Sequence, residues 1–158
     1  NSGIVGRPVR QRHVRMSVER RDKIFDVDDS LLEGLVEEEL ASVVFVMAYV
    51  QLDFSHALFT AYVWPTVTIG DQTLLFGDSG YRDALCAFIS HEVSAVEESP
   101  ESGLVIRFGL GEIVTNPAST ELGGPEIAQL QLHADSFRET SLMVWRPGED
   151  GFVGRDWA

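Results

Sequence analysis

VVFVMAYVQLDFSHALFTAYVW, residues 43–64, is the stretch whose reading decides the fold. Val, Phe, Tyr and Trp crowd it, and these residue types fit a pleated, half-buried surface. From Val50 to Phe54 apolar and polar residues alternate, the period of a strand with one face on a core. Residues 43–54 therefore read as one strand, buried on both faces early and on one face later. Ser55 and His56 allow a turn. Ala57 to Trp64 returns as a second strand, with Leu58, Thr60, Tyr62 and Trp64 on one face. Pro65 cannot donate to a ladder, so pairing stops there or lies at an edge.

Outward from this hairpin the same period recurs. Thr66 to Ile69 and Thr73 to Phe76 flank Gly70-Asp71, a short-hairpin signal. Glu92 to Glu97, Leu104 to Phe108, Glu112 to Thr115 and Ser141 to Arg146 read as further strands. Glu126 to His133 stays open between two readings: Pro125 suits the first turn of a helix, whereas Ala128, Leu130 and Leu132 alternate as in a strand, which is the preferred reading. Two helices interrupt the series. Ser30 and Glu33 have capping-box spacing ahead of a stripe of Leu31, Leu32, Leu35, Val36 and Leu40, which predicts a helix near 31–40; Glu37 to Glu39 at its C-terminal end oppose the dipole and keep it short. Tyr81, Ala84, Leu85, Phe88 and Ile89 predict a second helix over 81–90, capped by Asp78 or Ser79 and covering the sheet. The expected fold is α+β, a mainly antiparallel meander of about 6–8 strands with these two helices.

Charge divides the chain in two. Arg7, Arg10, Arg12, Arg15, Arg20, Arg21 and Lys23 are seven of its twelve cations, and only two of its twenty-five acids precede residue 24. The first twenty-three residues thus carry 7 − 2 = +5 and the rest 5 − 23 = −18. Residues 1–27, with Gly3, Gly6 and Pro8, read as a basic arm holding at most a turn of helix near 17–23; residues 28–158 read as one acidic domain. Met16 followed by a polar, charged segment also reads as a start, which would make Asn1 to Arg15 expression-derived or translated upstream sequence and leave −13 − 4 = −17. Cys86 is the only cysteine, so no intrachain disulfide and no cysteine-based metal cluster can form; it reads as a small core or half-buried residue. No apolar run approaches the roughly 20 residues of a spanning helix, and the N-terminus lacks a secretory pattern, so a cytoplasmic protein is expected.

Motifs for catalysis are thin. Gly77, Asp78, Ser79 and Gly80 spell the tetrapeptide around the nucleophile of chymotrypsin-like proteases, but Tyr81 breaks the match and no segment supplies the base; a helix cap explains the same letters. Gly109 and Gly111 lack the strand-to-helix context of a phosphate loop and read as a hairpin turn. The four histidines have no partner at metal-ligand spacing, and neither a metal nor a cofactor is expected. His56 with Asp53 is the one candidate acid/base pair, set against the plainer reading of a turn histidine.

An acidic body repels nucleic acid and anionic lipid and attracts cations, which leaves nucleic acid only to the arm at 1–23 and sets aside a membrane partner. The leading expectation is a non-enzymatic binding protein that docks a basic protein partner, as an immunity protein or small inhibitor would. Its steering set is Glu37, Glu38 and Glu39 with Glu97, Glu98 and Glu101. Trp145, Arg146, Glu149 and Asp150 are the candidate exposed epitope. The alternative is a small enzyme or ligand-binding domain with an apolar pocket between the sheet and the helix at 81–90, lined by Tyr62, Trp64 and Tyr81. GPEIAQLQLH (124–133) and MVWRPGEDGF (143–152) resemble the ending of small bacterial domains of actinobacterial type that have no assigned activity. That resemblance spans about a fifth of the chain and implies a small bacterial accessory protein, with no catalytic residues to carry over.

Overall fold

Residues 17–23, where a turn of helix is expected, include instead part of a short antiparallel pair, β1 (Glu19–Arg20) with β2 (Lys23–Ile24). The computed structural model describes residues 30–133 and 140–157 together with the backbone of 19–20 and 23–24. The rest of the arm, including the start at Met16 and the reading of residues 1–15, lies outside the described residues.

Residues 43–54 do not run as one strand. The chain reverses at Met47-Ala48, so β3 (Ser42–Val46) pairs antiparallel with β4 (Tyr49–Asp53). A two-residue reversal without Gly, Asn or Asp carries no turn signal in the sequence, which is why the run reads as continuous. β5 (Ala57–Ala61) follows, and then the chain crosses to a second sheet through Tyr62 to Pro65, with Tyr62 N–H still bonded to the Ile127 carbonyl at 2.9 Å. There β6 (Thr66–Ile69) and β7 (Gln72–Leu74) form the hairpin that Gly70-Asp71 signals, Gly70 taking φ +64°. After helix α1 (Tyr81–Cys86) come β8 (Val93–Ser99), β9 (Gly103–Phe108) and β10 (Gly111–Thr115), an antiparallel meander. The chain then returns to the first sheet as β11 (Ala128–His133) and β12 (Thr140–Trp145). The strand reading of 126–133 holds.

Two five-stranded antiparallel sheets result: a front sheet in the order β12-β11-β5-β4-β3 and a back sheet in the order β7-β6-β10-β9-β8. The fold is essentially all-β rather than α+β, and a single meander of 6–8 strands is corrected to two five-stranded sheets beside the β1–β2 pair among the described residues. Both predicted helices shrink. Residues 31–35 form a 3-10 turn, with Ser30 Oγ accepting from Leu32 N–H at 3.0 Å. Gly34 packs against Leu132, where an added Cβ would meet Cδ1 at 2.6 Å, and beyond it residues 37–40 leave the helix to join a ladder with 90–93. α1 stops at Cys86 because Ser90, at φ +82°, turns the chain into that same ladder. Its N-cap is Gly80 with no side-chain cap, so neither Asp78 nor Ser79 fills that role; Asp78 instead accepts from Leu75 N–H at 2.8 Å.

The inner faces of both sheets feed one buried cluster that includes Phe59 and Trp145 from the front and Leu104, Ile106 and Phe108 from the back. Phe88, just past α1, closes it against Phe108 with ring centroids 4.6 Å apart. Each such side chain contributes about 1.5–3 kcal/mol by leaving water, so this cluster is the main stabilising term of the fold.

Candidate functional site

Residues 37–40 run antiparallel to 90–93. Glu37 N–H bonds to the Val93 carbonyl, Val93 N–H to Glu38, Leu40 N–H to His91 and Ser90 N–H to Leu40, at 2.8–3.1 Å. This seam joins the segment ahead of β3 to the start of β8, so it links an edge of each sheet. Side chains alternate along it. Glu37 and Glu39 face solvent, whereas Glu38 turns in and is 9% exposed, its Oε1 lying 3.5 Å from Nδ1 of His56. Glu39 stands directly opposite Glu92, also exposed. Like charges facing each other across a ladder repel, and no cation among the described residues relieves this pair. Glu37, in the left-handed region at φ +76°, adds a third carboxylate to the same seam.

The second predicted acidic group serves the fold instead. Glu98 Oε2 accepts from the indole N–H of Trp145 at 2.8 Å and from Gly151 N–H at 3.1 Å, tying β8 to β12 and to the C-terminal turn. Glu97 binds Arg107 at 2.9 Å and the Ser102 hydroxyl at 2.9 Å; those two bonds, the hydroxyl first, hold its carboxyl below the usual glutamate range. Only Glu101 of this trio is exposed and unclaimed, with its carbonyl accepting from Asn116. Of six predicted steering carboxylates, Glu37, Glu39 and Glu101 remain exposed, while Glu97 lies on the outer face tied to Arg107.

Trp145 is not an exposed anchor: it is fully buried, which corrects the expected epitope. Arg146 pairs with Glu126 at 3.4 Å, and Glu149 and Asp150 are half-buried at the start of a 3-10 turn, Asp150–Phe152. Behind that turn Arg155 lies 5.0 Å above the Phe152 ring and donates to the carbonyls of Pro100 and Pro117, so this segment clasps the tail to neighbouring loops.

The remaining described cations are likewise engaged. Arg107 sits between Glu97 and Glu112, and Arg82 lies over Phe45 and Phe76 at 5.4 and 5.7 Å. Arg138 and the side chains of the seven arm cations lie outside the described residues. The acidic exterior is therefore not compensated by the arginines that are described.

His56 and Asp53 do not meet as an acid/base pair. His56 faces Glu38, while Asp53 Oδ1 accepts from Ser55 N–H at 2.9 Å and shapes the turn. Cys86 is exposed on α1 rather than in or near the core. Tyr81 is buried with its hydroxyl donating to the Pro65 carbonyl, and burial raises its phenol. Trp64 is covered by Phe76, stacked at 4.2 Å, and Tyr62 packs edge-on to Tyr49 at 5.7 Å. None of these three aromatics lines the groove that the described residues form. A half-open groove of about 290 Å³ does lie between the β6–β7 hairpin and α1, where the alternative reading places one, but Val67, Ile69, Leu74 and Ala84 line it with Gln72, Ser79 and Asp83. Among the described residues no three His, Cys, Asp or Glu stand together to hold a metal ion, and no helix is long and apolar enough to cross a membrane.

Sequence reasoning missed Glu92 and the lining of the groove. Both depend on pairing between distant segments, for which a linear pattern holds no signal. No protein-family model, curated protein or solved structure matches the chain. The roles assigned to its residues come from its own geometry.

Proposed function

We propose that this is a non-enzymatic binding domain that docks a basic protein partner on an acidic surface centred on the seam of Glu37, Glu39 and Glu92. The observation that carries this reading is the Glu39–Glu92 opposition: two exposed carboxylates held against each other by backbone pairing. Such a pair costs stability in the free protein, and an arriving Lys or Arg removes that cost. The surrounding field extends the effect, because residues 24–158 carry 5 − 23 = −18. A field of that sign raises the encounter rate with a cationic protein by orders of magnitude at low salt and fades within a Debye length of about 8 Å at physiological ionic strength.

The test is capture at low salt, purification of the cationic protein retained, and measurement of its association rate against ionic strength. The rate is expected to fall steeply with salt and to fall again, at fixed salt, in the Glu37→Gln, Glu39→Gln, Glu92→Gln triple variant. A rate indifferent to both rules the reading out. The groove between β6–β7 and α1 supports a second reading, a small apolar ligand held beside Asp83. Ala84→Trp, which fills the groove from its own lining, separates the two: it abolishes ligand binding and leaves protein docking at the seam intact.

A further inference from the structure

Among the described residues, the outer face of the front sheet is nearly free of charge. Register across its five strands sets Val144, Gln129, Thr60, Gln51 and Val44 in one row. The next row holds Leu142, Gln131 and Leu58 before reaching Asp53. Charged residues make up 23% of the chain, yet those eight positions carry none. Among the described residues, the charges that border them are Asp53 at one end and the mutually paired Glu126 and Arg146 at the other. The outer face of the back sheet is different, since the Glu97–Arg107–Glu112 chain crosses it. Val44 and Leu142, on the two edge strands of the front sheet, are 43% and 38% exposed and Met47 at the β3–β4 tip is 94% exposed, while the Gln side chains between them are half-buried and Thr60 is buried at 3%, its hydroxyl accepting from Gln51.

We propose that this face binds a second copy of the same chain. A basic partner has nothing to pair with here, whereas two strongly acidic bodies can approach each other only where each lacks charge. A two-fold interface must be complementary to itself. Opposed carboxylates cannot meet that condition, but Gln amides can, because each offers both donor and acceptor, and Val and Leu can pack on their own kind. Depletion of charge at the centre, with Tyr49, Tyr62 and Met47 at one end, matches the composition of interface cores. Five strands about 4.8 Å apart and roughly five residues long give a patch of about 24 by 17 Å, near 400 Å² in projection and below the ~800 Å² per partner of a standard interface. The dimer is therefore weak, populated at micromolar concentrations and above, and not obligate.

The test is sedimentation equilibrium of the full chain over roughly 5–500 µM at low and high salt, a range that brackets micromolar association. The wild type is expected to pass from monomer to dimer, more readily at high salt, because salt screens the repulsion between acidic copies. Leu142→Asp and Gln131→Glu, each adding a like charge to the face, weaken the dimer by about ten-fold or more. Thr73→Glu, a matched charge on the outer face of the back sheet, leaves it unchanged. Circular dichroism of each variant checks that it folds, and two face variants guard against the loss of one. A chain that stays monomeric at both salts overturns the proposal. So does a dimer that weakens with salt, or one that the face variants leave intact.

Discussion

Glu98 and Trp145 lie 47 residues apart in the chain, and their side chains meet at 2.8 Å, Trp145 fully buried and Glu98 half-buried. Removing the carboxylate leaves the indole N–H buried without its acceptor, so Glu98→Ala is expected to lower stability by about 1–3 kcal/mol. Glu98→Gln, which keeps an acceptor oxygen, loses less; urea unfolding of the three proteins checks the order. Tyr81 invites a pH test. Its phenol is raised by burial, while an unfolded tyrosine titrates near pH 10. The folded state therefore keeps this contribution in full below about pH 10 and loses it as pH rises toward the higher folded value. Tyr81→Phe should cost on the order of 1 kcal/mol at neutral pH and flatten the alkaline decline of the urea midpoint. Sequence marks Trp145 and Tyr81 as large apolar anchors but not their depth, because burial is set by what arrives from elsewhere in the chain.

Elements were legible where local chemistry decides them. Gly70 at positive φ makes the β6–β7 turn, and the alternation of Ala128, Leu130 and Leu132 survives as buried inward positions of β11. Met47-Ala48 was not legible, and neither was the unwinding of 36–40, where bonds to 90–93 replace the helical ones. That substitution creates the Glu39–Glu92 bridge and with it a paired prediction. Glu92→Lys turns a repulsion into an attraction across the ladder and is expected to raise stability by roughly 0.2–1 kcal/mol. It should at the same time slow association with a basic partner. Denaturant unfolding and association kinetics on the same variant read the two effects separately, and a gain in stability without loss of binding would remove the seam from the docking surface.

Across the whole molecule, charged and neutral faces give salt responses of opposite sign. The proposed docking of a basic protein is expected to weaken as ionic strength rises, whereas the proposed self-association through the front sheet is expected to strengthen. Titrating salt with each assay in turn therefore tells the two surfaces apart without knowledge of the partner. Sequence by itself determined that the chain builds sheets, through the period-two alternation and β-branched and aromatic content of residues 43–64, and that residues 24–158 are acidic by 18 charges. These are sums and local periods, which need no neighbour in space. Only the tertiary structure decided which carboxylates stay outside: backbone pairing turned Glu38 inward, Arg107 took Glu97, and Trp145 took Glu98, leaving Glu37, Glu39 and Glu92 exposed at the seam. The physical reason is that a carboxylate's surroundings are set by contacts between strands remote in sequence, which composition and spacing do not encode.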